Sequence, residues 1–318
     1  MMSLKGRVCV TGAGGFLGSW IVNLLLSKDY VVHGTVRDPS DQKYAHLTKF
    51  EKASDNLKLF KADLLDFDSL CRAIQGCSGV FHVACPVPST TVPNPDVEML
   101  APAVKGTMNV LKACEQAKVE RLVFVSSAAA VCLNPSWPKG LIMDESCWSN
   151  KEYCRTTENW YCFAKTEAES EALEYGKKSG LHVASVCPTL ILGPILQSTV
   201  NASTLVLLKL LKEGYETLEN KLRLVVDVRH VADSLLLVYE KPEAEGRYIC
   251  TSYAIRAQDL VEKLRKIYPN YNYPTNFIEV DETTMVSSER LQRLGWSYRP
   301  LEETLVDSVE SYRKAGLL

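Results

Sequence analysis

The chain has 318 residues, which at roughly 100 to 200 residues per domain allows about two lobes, or one large domain with an appendage. A composition of 46% hydrophobic and 23% charged residues excludes a disordered, collagen-like or coiled-coil chain. Thirty-six Lys and Arg against 38 Asp and Glu leave a net charge of −2, without the basic excess a phosphate-tracking surface needs, so no nucleic-acid partner is expected.

In chain order, short apolar runs rich in Val and aromatics at Arg7 to Thr11, Tyr30 to Val36, Leu57 to Lys61, Gly79 to Val83, Arg121 to Ser126 and Leu181 to Cys187 read as strands. Helical spacing predicts helices at Gly15 to Ser27, Asp66 to Gln75, Pro95 to Ala117 and Thr157 to Lys178. This alternation builds an α/β fold with a Rossmann-type, doubly wound parallel sheet. The stretch Ala128 to Glu152, with Pro135, Pro138 and Gly140, is too long for a simple connection and reads as a functional loop over a site. After Cys187 two returns to the sheet are expected, near Arg223 to Val226 and Arg247 to Cys250, with helices at Ala257 to Ile267, Ser287 to Leu294 and Leu301 to Lys314. The expected division is a dinucleotide-binding domain over residues 1–187, with sheet returns near 223–252, and a smaller, mainly substrate-binding C-terminal lobe over 188–318. The uncharged stretch after Leu181 is punctuated by Pro188, Gly193 and Pro194, so it reads as strand, loop and helix start, and no membrane partner is expected.

The opening Met1 to Arg7 leads straight into a strand without the apolar stretch of a signal peptide, which points to a reducing, cytoplasmic setting. None of the 11 cysteines forms Cys-x-x-Cys and none of the five histidines forms His-Glu-x-x-His, so no metal site is expected.

Directly after the first strand comes Thr11-Gly12-Ala13-Gly14-Gly15-Phe16-Leu17-Gly18, a Gly-x-x-Gly-x-x-Gly spacing that opens a helix. Glycine lets the backbone turn sharply and approach a pyrophosphate, while the helix start offers free N–H groups and the positive end of its dipole. The second strand ends Val36-Arg37, and its first acid, Asp38, follows the arginine. A guanidinium there suits a 2′-phosphate that a carboxylate would repel, which favours NADPH over NADH. Lys43 offers a second cation, and Asp63, after the third strand, can bond the adenine amino group or cap the next turn.

Tyr161 and Lys165 sit four residues apart on a predicted helix, which stacks them on one face. An ordinary phenol has a pKa near 10; a neighbouring ammonium, aided by an oxidised nicotinamide, is expected to lower it toward the working range and make Tyr161 a general acid. Lys165 would also hold the nicotinamide ribose. Ser126-Ser127 ends the fifth strand, where parallel sheets place ligands; alternation sends one of the two into the cleft, and Ser127 is the choice for orienting a substrate carbonyl.

With these residues the chain resembles the extended short-chain dehydrogenases/reductases. It is most similar to the plant group of cinnamoyl-CoA reductases, short-chain-type cinnamyl-alcohol dehydrogenases and dihydroflavonol reductases. The likeness rests on Val10 to Gly18, Val36-Arg37-Asp38-Pro39, Asp144 to Trp148, Asn159-Trp160-Tyr161-Cys162-Phe163-Ala164-Lys165 and Leu192-Gly193-Pro194. The resemblance implies a catalytic set of Ser127, Tyr161 and Lys165, and NADPH contacts at Arg37, Lys43, Asp63, Pro188 and Thr189. Leu64, Val83 and Ala84 complete the expected coenzyme contacts. In true cinnamoyl-CoA reductases the helix after Asn-Ala-Ser carries a histidine that helps recognise CoA; aligned on Asn201-Ala202-Ser203, this chain has Val206, which cannot donate. Lys209, Arg229 and Arg247 remain as candidate phosphate partners. The group also suggests a reversible disulfide between Cys154 and Cys162.

The expected activity is NADPH-dependent reduction of an aromatic, hydroxycinnamyl-type aldehyde to the alcohol by a monomer or weak homodimer, with Val206 shaping the substrate pocket beside Ser127 and Tyr161. The rivals are a CoA thioester reductase releasing aldehyde and free CoA, a flavonoid ketone reductase, and a non-catalytic NADPH-sensing protein.

Overall fold

The apolar runs and helical patterns are realised in the computed structural model, which describes residues 4–87, 92–281 and 284–318. In chain order the elements are β1 (Arg7–Thr11), α1 (Phe16–Ser27), β2 (Val31–Val36), α2 (Ala53–Asn56), β3 (Leu57–Lys61), α3 (Phe67–Ile74), β4 (Gly79–His82), α4 (Gly106–Gln116), β5 (Arg121–Val125), α5 (Lys151–Thr156) and α6 (Trp160–Ser179). They continue with β6 (His182–Pro188), β7 (Leu190–Leu192), α7 (Ala202–Lys212), β8 (Thr217–Glu219), β9 (Leu222–Asp227), α8 (Val228–Glu240) and β10 (Gly246–Cys250). The last are β11 (Tyr253–Arg256), α9 (Ala257–Ile267), β12 (Asn276–Ile278), α10 (Glu289–Arg293) and α11 (Leu301–Lys314).

Seven strands pair in parallel in the order β10-β6-β5-β4-β1-β2-β3. Their residues are apolar at nearly every position because both faces are covered. Along β1, Val8 and Val10 pack with Ile21 and Leu25 of α1 and Leu235 of α8. Cys9 between them packs with Ile74 of α3, Leu111 of α4 and Ala172 of α6. The strand order reverses between β1 and β4, so their carboxyl ends open a crevice, the place where such sheets bind ligands. Among the described residues no helix is long and apolar enough to cross a membrane.

Three expectations are corrected. Residues 223–226 do not return to the main sheet: β9 pairs with β7 in parallel and with β11 antiparallel in a separate three-stranded sheet. Its first three residues are only half-buried, which suits a sheet with one wet face. Only β10 returns, from Gly246 opposite Ala184 to Cys250 opposite Pro188. The helix expected over 95–117 is a π-helix at Asp96–Lys105 followed by α4. Pro102 lies inside the π-helix, where it can donate no backbone hydrogen bond and would crowd an α-turn. The helix expected from Thr157 is broken at Glu158, whose left-handed φ of 55° separates α5 from α6.

Candidate active site

A cleft of about 930 Å³ runs along the carboxyl ends of the strands. At one end, Gly12, Gly15, Phe16, Leu17 and Gly18 line it. Gly12 has a φ of +68°, and a Cβ there would lie 3.0 Å from Ala84 Cα. A Cβ on Gly18 would collide with the Gly12 carbonyl oxygen, so α1 can lie this close to β1 only with glycine. Gly15 caps α1 without a side chain, which leaves the first N–H groups of the helix for an anion.

Thr35, Val36, Arg37, Lys43, Tyr44, Asp63 and Leu64 form the next part of the wall. Arg37 is exposed, and among the described residues it makes no ion pair. Asp38 is turned onto Ser40, accepting its N–H at 3.0 Å and its hydroxyl at 2.7 Å, and does not line the cleft. Those bonds hold its carboxyl below the usual range. Lys43 is paired with Asp41 at 2.6 Å and lies over the Tyr44 ring, so its charge is partly offset. One Asp63 oxygen accepts the Leu65 N–H at 2.9 Å; the turn cap therefore leaves the second oxygen for an adenine amino group. These residues fit a dinucleotide with a phosphorylated ribose.

Val83, Ala84 and Cys85 follow β4 and also line the cleft. Thr11 Oγ1 accepts the N–H groups of Val83 and Ala84, both at 3.1 Å, and is bonded to His82, whose far nitrogen meets Thr107 Oγ1. Burial, with the Lys165 charge, pushes His82 down to about 3, so the ring is a neutral brace between β1, β4 and α4. The strand pattern gave no signal for this contact.

At the other end lie Ser127, Tyr161, Lys165, Pro188 and Thr189. The two serines divide as strand alternation requires. Ser126 is buried and donates to Glu169 at 2.8 Å, whereas Ser127 is half-exposed, accepts the Ala129 N–H at 3.1 Å and lines the cleft together with Tyr161. Lys165, one helical turn from Tyr161, is buried and donates to the Val125 carbonyl at 2.8 Å. Desolvation lowers its pKa, but Cys85, Tyr161 and Glu169 outweigh it, and the ammonium persists. The phenol departs from expectation: burial raises Tyr161 above its ordinary value, and the opposing pull of Lys165 and Ser127 is smaller. Burial disfavours the phenolate more strongly than one ammonium favours it, so the hydroxyl keeps its proton at neutral pH.

The remaining wall differs from the sequence reading. No residue of 128–152 lines the cleft; Glu98 and Pro102 of the π-helix, and Thr199 to Ser203 before and at the start of α7, do so. Val206 is half-buried and is not among the lining residues, because α7 presents only its first turn. Arg229 is held by Asp227 and Asp307, and Arg247 by Glu169, so both phosphate candidates are committed to structural pairs; Lys209 is exposed and does not line the cleft. Cys154 and Cys162, the pair expected to form a reversible disulfide, are both free thiols here. Burial raises both, Cys162 to about 11, which disfavours the thiolate that disulfide exchange requires.

A family model described as NAD dependent epimerase/dehydratase matches residues 8–250. The chain is 44% identical to a protein of Petunia hybrida named "Cinnamoyl-CoA reductase 1", over all of this chain and 96% of that protein. The crystal structure of vestitone reductase from alfalfa superposes with a TM-score of 0.83 at 31% identity, covering 99% of this chain and all of that one. Yeast methylglyoxal/isovaleraldehyde reductase Gre2, complexed with NADPH, gives 0.83 at 26% identity over 98% and 100% of the two chains. The chain belongs to the NAD dependent epimerase/dehydratase family, among the extended short-chain dehydrogenases/reductases, and is an oxidoreductase that binds NAD(P)H.

Proposed function

We propose that this oxidoreductase uses NADPH to reduce an aromatic, hydroxycinnamyl-type aldehyde to its alcohol, in the cytoplasm, where its free thiols stay reduced. The observation that carries this reading is that Ser127, Tyr161 and Lys165 line the same cleft as Arg37, which among the described residues makes no ion pair. Arg37 and Lys43 would hold the 2′-phosphate, the first turn of α1 the pyrophosphate, and Lys165 the nicotinamide ribose. When bound, the dinucleotide supplies the hydride. Ser127 hydrogen-bonds and orients the carbonyl oxygen, and Tyr161 passes its Oη proton to that oxygen as negative charge develops on it. Lys165 stabilises the phenolate that remains. With its pKa raised by burial, Tyr161 carries its proton at neutral pH and so enters the reduction in the protonated form. Residues 188–318 supply the far wall through Thr199 to Ser203 and lend β10 to the sheet.

The second reading is reduction of a CoA thioester, favoured by the identity with a protein named for that activity. Against it, among the described residues the only cations lining the cleft are Arg37, Lys43 and Lys165, the first two at the coenzyme end and the third bonded to Val125. No cation is left there for the CoA phosphates. Turnover of coniferaldehyde and feruloyl-CoA at equal enzyme concentration, with NADPH and with NADH, separates the two. Faster thioester turnover would overturn the aldehyde reading, and dihydroflavonols in the same panel test for a ketone substrate.

A further inference from the structure

Glu169 lies on α6 one turn beyond Lys165 and two beyond Tyr161, and its side chain is fully buried. Its carboxylate accepts from Arg247 Nε at 2.9 Å and Nη2 at 3.1 Å, from Cys187 Sγ at 3.1 Å, from the Ser185 hydroxyl, and from Ser126 Oγ at 2.8 Å. The Arg247 guanidinium, stacked 3.6 Å from the centre of the Trp148 ring, donates onward to three backbone carbonyls. These are Ala130 at 3.3 Å, Glu145 at 3.1 Å and Cys147. The return segment held at 145 and 147 is tied to the same turn, since Ser149 donates its N–H to Ala130 and its hydroxyl to Ala129.

Replacing a buried ion pair with apolar residues of similar volume is often neutral or stabilising, so folding energy alone does not account for one here. What the pair touches does. Ser126 is bonded to Glu169 and Ala130 to Arg247, and Ser127 stands between them. We propose that Glu169 and Arg247 are positioning residues, a buried pair that sets Ser127 against Tyr161 by fastening the chain on both sides of the serine to the helix that carries the tyrosine. The proposal rests on the reductase reading for its kinetic consequence, but not for its structural one.

Arg247→Lys keeps the cation and loses the planar fork. Misplacing a reacting group by about 1 Å can cost about 100-fold in rate, so kcat for carbonyl reduction is expected to fall by tenfold or more. The dissociation constant for NADPH, whose glycine turn makes no hydrogen bond to the pair, should change less than about twofold. In a Ser127→Ala background the same change should cost less than about twofold, because residues acting through one another are not additive. A full and independent loss in that background would overturn the proposal. The double variant Glu169→Leu with Arg247→Met separates positioning from stability: a wild-type melting temperature with kcat still depressed supports it, and recovery of both overturns it. If that variant does not fold, Arg247→Lys decides, and an unchanged kcat overturns the proposal. If the unaltered protein reduces no carbonyl, the functional reading fails by itself. Hydrogen exchange then decides: lost protection over 127–133 and 145–150 in Arg247→Lys, with β1 and α1 unchanged, supports the bracketing, and unchanged protection there overturns it.

Discussion

At its Gly12 end the cleft is made of main chain, whereas at its Tyr161 end it is made of side chains. The first end works by what is missing: no Cβ on Gly12 or Gly18 and no side-chain cap on α1. The second brings together hydroxyls and an ammonium held in place, with Lys165 on Val125 and Ser127 on the Ala129 N–H. On the proposed reading, a change at the first end acts through shape and coenzyme binding, and a change at the second acts through the proton.

Tyr161→Phe is the sharpest test of that contrast. General acid catalysis is worth about 10²- to 10⁴-fold, so kcat should fall by that much while NADPH affinity and melting temperature hold, as read by steady-state kinetics and coenzyme fluorescence. Matching losses in coenzyme binding would erase the division. Next, Arg37→Ala should weaken NADPH about 10- to 100-fold, the range for a charged hydrogen-bonding partner, and leave NADH nearly unchanged. Titration with both coenzymes checks this, and equal losses for the two would show that Arg37 does not read the phosphate. Gly18→Ala drives a Cβ into the Gly12 carbonyl; overpacking of this kind costs about 1–3 kcal/mol, measurable as a lower denaturant midpoint together with weaker coenzyme binding.

The smallest effects are graded with pH. Reduction should weaken as pH rises through the raised Tyr161 pKa, where the proton is lost, while alcohol oxidation strengthens over the same range. On the acid side, burial is the leading cause holding all five histidines below their ordinary value, with His82 at about 3. Unfolding restores values near 6.5, so the unfolded chain binds more protons below that pH. This stability is complete above about 6.5 and is lost as pH falls, for His82 down to about 3. A melting temperature that stayed level through that window would contradict it.

The coenzyme end was legible because its signal is local. Three glycines between a strand and a helix, and an arginine ahead of the first acid, need no knowledge of distant residues. Tyr161 and Lys165 were legible for the same reason, one turn apart on a single helix. What escaped depends on residues brought together by folding. Glu169 and Arg247 stand 78 positions apart and carry no periodic mark. The His82 brace joins three elements, and the wall from Glu98 and Thr199 to Ser203 displaced both the long loop and Val206. The direction of the Tyr161 shift also escaped, since spacing reveals the ammonium and not the depth of burial. Residue 223 was misplaced because a short apolar run looks alike in a large sheet and a small one.

The lone return of β10 sets an order of assembly. The six strands before it leave the ribosome first, and domains form as the chain emerges, so the crossovers from β1 to β6 can be completed while Arg247 is still untranslated. Until that arginine arrives, the carboxylate of Glu169 lacks its ion-pair partner and the carbonyls of residues 130, 145 and 147 lack their shared donor. A nascent chain stopped short of residue 246 would carry the glycine turn and the tyrosine but lack the clasp, so on the positioning proposed above the last strand of the sheet would be the step that completes the site.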